Sequence, residues 1–71
     1  MLDPKLNTFI SIAECDSFNK ASEQLYMTPP SVMKQMDGLE AHLQIKLIER
    51  TSRGIKLTKA GESLYQDAKR L

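Results

Sequence analysis

TPPSVMKQMDGLEAHLQIKLIERTSRGIKLT, residues 28–58, is the stretch whose reading decides the fold. Thr28 is a good helix N-cap, and Pro29 suits the first helical position, where a missing N–H costs nothing. Pro30 still lies in the first turn, where the nitrogen lacks an intrahelical partner in any case. A helix follows, with Val32, Met36, Leu39 and Leu43 on one narrow arc. Its opposite face carries Pro30, Lys34 and Ala41, with Met33 and Asp37 on one shoulder and Ser31 and Gly38 on the other. Ile45 to Arg50 is apolar and branched enough for a short strand. Thr51-Ser52-Arg53-Gly54 reads as a turn, and Ile55 and Leu57 alternate with Lys56 as a returning strand should. Thr58 then suits the N-cap of a further helix.

Working outward, Asp3-Pro4 reads as an N-cap followed by proline. Leu6, Phe9, Ile10 and Ala13 give one face of a first helix that ends near Glu14 or Cys15. Asp16-Ser17 is a break, and Phe18 is an apolar anchor. Asn19 is read as the cap of a short second helix through about Leu25, with Ala21 and Leu25 inward. Past Thr58, Leu64, Ala68 and Leu71 form one stripe of a helix over 59–71 that stops without a C-cap, which predicts a helix cut in mid-course. The expected fold is mainly α: a winged helix-turn-helix with a three-helix core, a two-stranded β-hairpin wing and the start of a linker helix. Residues 1–58 are expected to be the winged domain, and 59–71 the start of a linker and dimerisation helix.

Seventy-one residues allow a single domain. With 41% hydrophobic and 27% charged residues, the chain fits a small globular domain better than a disordered tail. No apolar run reaches a membrane span and no signal peptide is read at the N-terminus, so a cytoplasmic location is expected. Cys15 is the single cysteine, beside Glu14 and Asp16, and is read as packing or an idle thiol. His42 has no second histidine or cysteine near it for zinc. Ser31 has no histidine base, and there is no glycine-rich phosphate loop. Neither catalysis nor a cofactor is expected.

Helix-turn-helix geometry points to nucleic acid. A short turn lets the second helix cross the DNA backbone while the third enters the major groove, N-terminal residues toward the bases. The unpaired N–H groups and positive dipole end of that helix are expected to favour phosphate, and the small outer residues Ser31, Gly38 and Ala41 to let it sit deep. Net charge is only +1, so the distribution carries the information. Residues 1–43 hold three lysines against six carboxylates, whereas residues 44–71 hold seven Lys/Arg against three. Arg53 at the hairpin tip suits an adjacent minor groove. Arg50 either pairs with a carboxylate such as Glu40 or touches phosphate. Ser17 and Lys20, near the start of the second helix, are placed to reach the backbone.

From Leu6 to Ala68 the sequence resembles the DNA-binding domain of LysR-type transcriptional regulators. Phe9, Ala13-Glu14, Ser17-Phe18, Ala21, Leu25, Thr28 to Val32, Gln35, Leu39-Glu40, Leu43, Leu47 to Arg50, Arg53, Leu57-Thr58 and Gly61 carry the likeness. LEAHLQIKLIERTSRGIKLTKAG is its most specific part. The resemblance implies a homodimer built on the linker helix, a pseudo-palindromic double-stranded operator, and a small-molecule effector bound by a C-terminal domain outside this sequence. It places base reading on Pro29, Pro30, Met33 and Lys34. Together with Thr28, Ser31, Arg50, Arg53 and Lys20 these form the expected DNA-binding set, with the recognition helix at about 29–43 and the wing at about 45–57. The chain departs from the pattern where Pro29 replaces a common glutamine and Met33 a frequent serine. Asp37 and Gly38 stand at often basic places, and Gln44 where glycine usually ends the helix. The alternative function is a winged-helix scaffold for protein interaction, without DNA binding.

Overall fold

The computed structural model describes residues 4–52 and 54–70. Four helices and one hairpin follow in order: α1 (Pro4–Cys15), α2 (Phe18–Leu25), α3 (Pro29–Leu43), β1 (Ile48–Thr51), β2 (Gly54–Leu57) and α4 (Lys59–Lys69). This is the winged helix-turn-helix expected from the sequence. Helix α1 packs against α2, α3 and α4, and the hairpin leans on α4. β1 and β2 pair antiparallel, with Ile48 opposite Leu57 and Thr51 opposite Gly54.

Phe9, Ile12, Ala21, Val32, Met36, Leu39, Leu47 and Ile48 form one buried cluster. Each fully buried large side chain among them contributes roughly 1.5–3 kcal/mol relative to exposure. The face expected of α1 was rotated from the true one. Thr8, Phe9 and Ile12 are its buried residues, while Leu6, Ile10 and Ala13 are only half-buried. Thr8 reads as polar, but it is buried because its hydroxyl is fully used. It meets the Pro4 carbonyl at 3.1 Å and the side-chain amide of Gln35 on α3. The hydroxyl proton goes to the nearer acceptor, Gln35 Oε1, while the Pro4 carbonyl lies one turn back along α1. This bond ties α1 to α3.

Helix ends follow local chemistry, with one shift from expectation. Ser17, not Asn19, caps α2: its backbone is extended and its Oγ accepts from Lys20 N at 3.3 Å. Asn19 is already helical, and its carbonyl accepts from the Ser22 hydroxyl at 2.7 Å. Ala21 is buried as expected, whereas Leu25 is half-buried. Thr28 caps α3 and Thr58 caps α4, accepting from Ser31 N and Gly61 N. Tyr26 and Gln44 close α2 and α3 in the left-handed conformation, at φ 55° and 56°. At the second of these ends, Gln44 N–H donates to Ala41 O and Ile45 N–H to Glu40 O.

That α3 ending explains two further differences. Leu43, expected in the core, is 45% exposed, because the last turn of α3 overruns the elements that cover Val32, Met36 and Leu39. Ile45, expected to start the first strand, is 46% exposed, and β1 begins only at Ile48. Residues 44–47 are spent on reversing the chain. The Glu40 carboxylate holds that reversal, with Oε2 accepting from Leu47 N at 2.7 Å and Ile48 N at 3.2 Å. Helix α4 is then stapled onto the same segment. Thr58 N–H donates to Leu47 O at 3.0 Å, and Thr58 Oγ1 donates to Lys46 O at 2.6 Å. Gly61 lies so close that a Cβ there would stand 2.0 Å from Leu47 O. On α4, Ala68 is buried and Leu64 half-buried as the stripe required. Tyr65 Oη donates to Glu14 Oε2 at 3.2 Å, linking α4 to α1. The readings of Asp3 as a cap and of Leu71 in the stripe lie outside the described residues.

Gly61→Ala is therefore expected to destabilise by at least about 2 kcal/mol, because the obstruction is backbone. Its thermal midpoint, read by circular dichroism, should fall by roughly 10 °C or more. Gln44→Gly should act in the opposite direction. Relief of the left-handed strain is worth about 1 kcal/mol and should raise the same midpoint by about 4–8 °C. Glu40→Ala leaves two backbone donors without their acceptor at a cost of about 1–3 kcal/mol. Amide exchange at Leu47 and Ile48 should accelerate more than at Phe9 and Ile12.

Candidate nucleic-acid interface

The first turn of α3 is closed by its own residues. Thr28 Oγ1 accepts from Ser31 N at 3.3 Å and its hydroxyl meets Ser31 Oγ at 2.9 Å, while Val32 N–H donates to Thr28 O at 3.1 Å. Pro29 and Pro30 carry no N–H. Of the N–H groups expected to meet phosphate at this helix end, those of residues 29 and 30 are absent and those of Ser31 and Val32 are used within the turn. Thr28, Pro30, Ser31 and Lys34 are exposed, and Pro29 and Met33 are half-buried.

The hairpin stands beside that turn. Pro29 and Met33 share a cleft of about 350 Å³ with Phe18 from α2 and Arg50, Thr51 and Ile55 from the hairpin. The structure thus joins Arg50 to the α3 residues picked from the sequence. Its guanidinium carbon lies 5.2 Å from the centroid of the Phe18 ring. Of the two alternatives for Arg50, pairing with Glu40 is not what the structure adopts, because Glu40 Oε2 serves Leu47 and Ile48 and the guanidinium faces Phe18. A cation over a ring face keeps its N–H edges directed outward, where an anion can meet them. Glu40, Asp37, Lys46 and Arg50 border a second cleft of about 260 Å³ farther along the same shoulder of α3.

The seat of the hairpin is a close backbone approach. Gly54 has φ +132°, and a Cβ there would stand 3.1 Å from Asp16 O in the α1–α2 turn. Only glycine tolerates that φ without strain. Arg53, expected at the tip, lies outside the described residues. Lys20 is exposed in the first turn of α2, and Ser17 is taken up by its capping role.

Sequence reading missed the Phe18 platform, the double use of Glu40, and the Asp16–Gly54 approach, all of which join distant segments. The absence of N–H groups at residues 29 and 30 was visible in the two prolines. Gly38, read as an open place on the outer shoulder of α3, is covered: its Cβ position lies 3.5 Å from both Cε and Nζ of Lys5. Among the described residues no group of three His, Cys, Asp or Glu side chains is placed to hold a metal, and no helix is long and apolar enough to cross a membrane.

Residues 4–62 match the family model for bacterial regulatory helix-turn-helix proteins of the lysR family. An uncharacterized helix-turn-helix transcriptional regulator from the ibpB–leuC intergenic region of Azotobacter vinelandii is 44% identical over 66 residues, spanning 93% of this chain and 46% of that protein. The solved BenM DNA-binding domain, in complex with catB site 1 DNA, superposes with a TM-score of 0.92 at 37% identity, covering 99% of this chain and 79% of that one. The CbnR DNA-binding domain, also solved with DNA, gives 0.90 at 40% identity, covering 99% and 80%. The chain spans less than half the length of the first curated relatives it matches, falling to 23% for the regulator TcbR of Pseudomonas sp. strain P51. A match over this much of the chain, on the same order of helices, hairpin and final helix, places the protein in the LysR family of bacterial regulatory helix-turn-helix proteins.

Proposed function

We propose that this chain is the sequence-specific DNA-binding domain of a bacterial transcriptional regulator, with α3 in the major groove and the hairpin near the adjacent minor groove. The observation that carries the reading is the joint surface of the α3 first turn and the hairpin, where Pro29, Met33 and the ring-mounted Arg50 border one cleft. The likeness to domains solved on DNA supports it. Pro29, Pro30, Met33 and Lys34 face the bases, Met33 making an apolar contact of the kind a thymine methyl accepts. Thr28 and Ser31 lie at the groove edge. Arg50 and Lys20 meet phosphate, and Arg53 enters the minor groove. Residues 1–58 act as the reading head, and 59–71 begin a linker helix through which two copies pair on a pseudo-palindromic operator. In the whole protein a further domain takes the effector, and the regulator works in the cytoplasm.

Selection of duplexes from a random pool, read at several salt concentrations, tests this reading. Enrichment of a half-site motif with affinity falling steeply in salt is the expected outcome. Binding without enrichment or salt dependence would instead favour a protein-interaction scaffold. Lys34→Ala is expected to weaken the selected duplex by about 1–3 kcal/mol if the lysine reads a base, with preference relaxed at one position. Arg53→Ala should weaken binding mainly on duplexes whose flank has a narrow minor groove.

A further inference from the structure

Lys5 sits in the first turn of α1, remote in sequence from every residue assigned to DNA so far. Its position on the helix is informative. Lys5, Thr8 and Ile12 fall at i, i+3 and i+7, on one face of α1. Thr8 is tied to Gln35 of α3, which directs that face at α3. One turn back along α1 and one turn forward along α3, Lys5 meets Gly38, with Cε and Nζ each 3.5 Å from the glycine Cβ position. Lys5, Ser31, Lys34 and Gly38 border one concavity of about 470 Å³ on this shoulder of α3. The half of the chain up to residue 43 holds only three lysines against six carboxylates, and two of those three converge here.

The opposite shoulder of α3 carries Lys46, from the segment before the hairpin, and Arg50 of β1. The exposed face of the recognition helix is therefore flanked by cations on both sides, contributed by separate elements. A major groove about 12 Å wide presents the same arrangement in reverse, a phosphate wall on either side of an inserted helix. Resting on the DNA-binding reading above, we propose that Lys5 is a phosphate anchor: beside the base-reading Lys34, it binds the DNA backbone on the side of the recognition helix away from the hairpin. The Lys5 side chain lies over Gly38, with Cε and Nζ in ordinary van der Waals contact with the glycine Cβ position.

The experiment compares wild type, Lys5→Gln, Lys5→Arg and Lys69→Gln on a selected duplex and on a random-sequence duplex over a salt series. Lys69 serves as the control cation, being on α4 with its ammonium 5.2 Å from the Tyr65 ring centroid. Loss of one phosphate contact lowers the slope of log affinity against log salt by about 0.9. Between about 50 and 200 mM salt the Lys5→Gln protein should then lose roughly three- to fourfold less affinity than wild type, equally on both duplexes. Lys5→Arg should keep the wild-type slope, and Lys69→Gln should match wild type. Single methylphosphonate substitutions along the selected duplex give an independent readout. One position should weaken wild type without further weakening Lys5→Gln. A Lys5→Gln slope no lower than that of Lys69→Gln, with wild type still salt-sensitive, overturns the Lys5 assignment and leaves the DNA-binding reading standing. A wild type with no salt-dependent binding overturns the DNA-binding reading itself, and the anchor with it.

Discussion

The Leu47 peptide is held from four directions, and the arrangement of everything after α3 depends on it. Its N–H donates to Glu40 Oε2 at 2.7 Å, its carbonyl accepts from Thr58 N at 3.0 Å, and its side chain is buried in the core. Gly61 of α4 closes over the carbonyl at a distance no Cβ allows. A charged acceptor sharing two backbone donors makes hydrogen bonds roughly twice as strong as neutral ones. One residue thus fixes where α3 ends, where the hairpin begins and how α4 starts. A reading head built from a helix and a hairpin needs such a junction, since neither element alone sets its angle to the other.

The surface chemistry that results is unusual for a polyanion binder with a net charge of +1. Affinity for phosphate depends on where cations stand, and here they border the recognition helix while acidic residues are partly occupied internally. Glu40 is committed to the backbone and Glu14 accepts from Tyr65. Arg50 is held over a ring rather than neutralised by a carboxylate. Between these flanks, the prolines and Met33 offer contact area rather than hydrogen bonds. In the proposed docking, base discrimination on that surface leans on shape and methyl contacts more than on bidentate pairing.

Most of the fold was legible because its punctuation is local. Thr28-Pro29, Thr58 and Gly54 each state a turn or a cap through chemistry spanning three or four residues. What was not legible depends on partners far along the chain. Periodicity gave α1 a face near the true one but rotated, because it counts Thr8 as polar and cannot see Gln35 satisfying it. Leu43 continued the stripe of α3 faithfully, yet spacing holds no information on where covering helices stop. The strand was expected three residues early because the Glu40 carboxylate and the left-handed Gln44 consume that stretch. In the candidate site, the α3 residues follow from one continuous turn, whereas Arg50 on Phe18 and Lys5 over Gly38 each join segments about 30 residues apart.

The self-closed first turn of α3 has a further consequence. Its caps and prolines occupy or remove the N–H groups of residues 29–32 before any ligand arrives, and proline restricts the backbone in the unfolded chain as well. Fixing a residue's backbone on binding costs about 1–2 kcal/mol. A helix end already fixed in the free protein avoids that loss, so association of this surface is closer to rigid docking than to folding on a template. The same rigidity limits adaptation. In the proposed docking, a recognition helix with a fixed entry favours duplexes already shaped to receive it, and the cost of bending the others enters the discrimination.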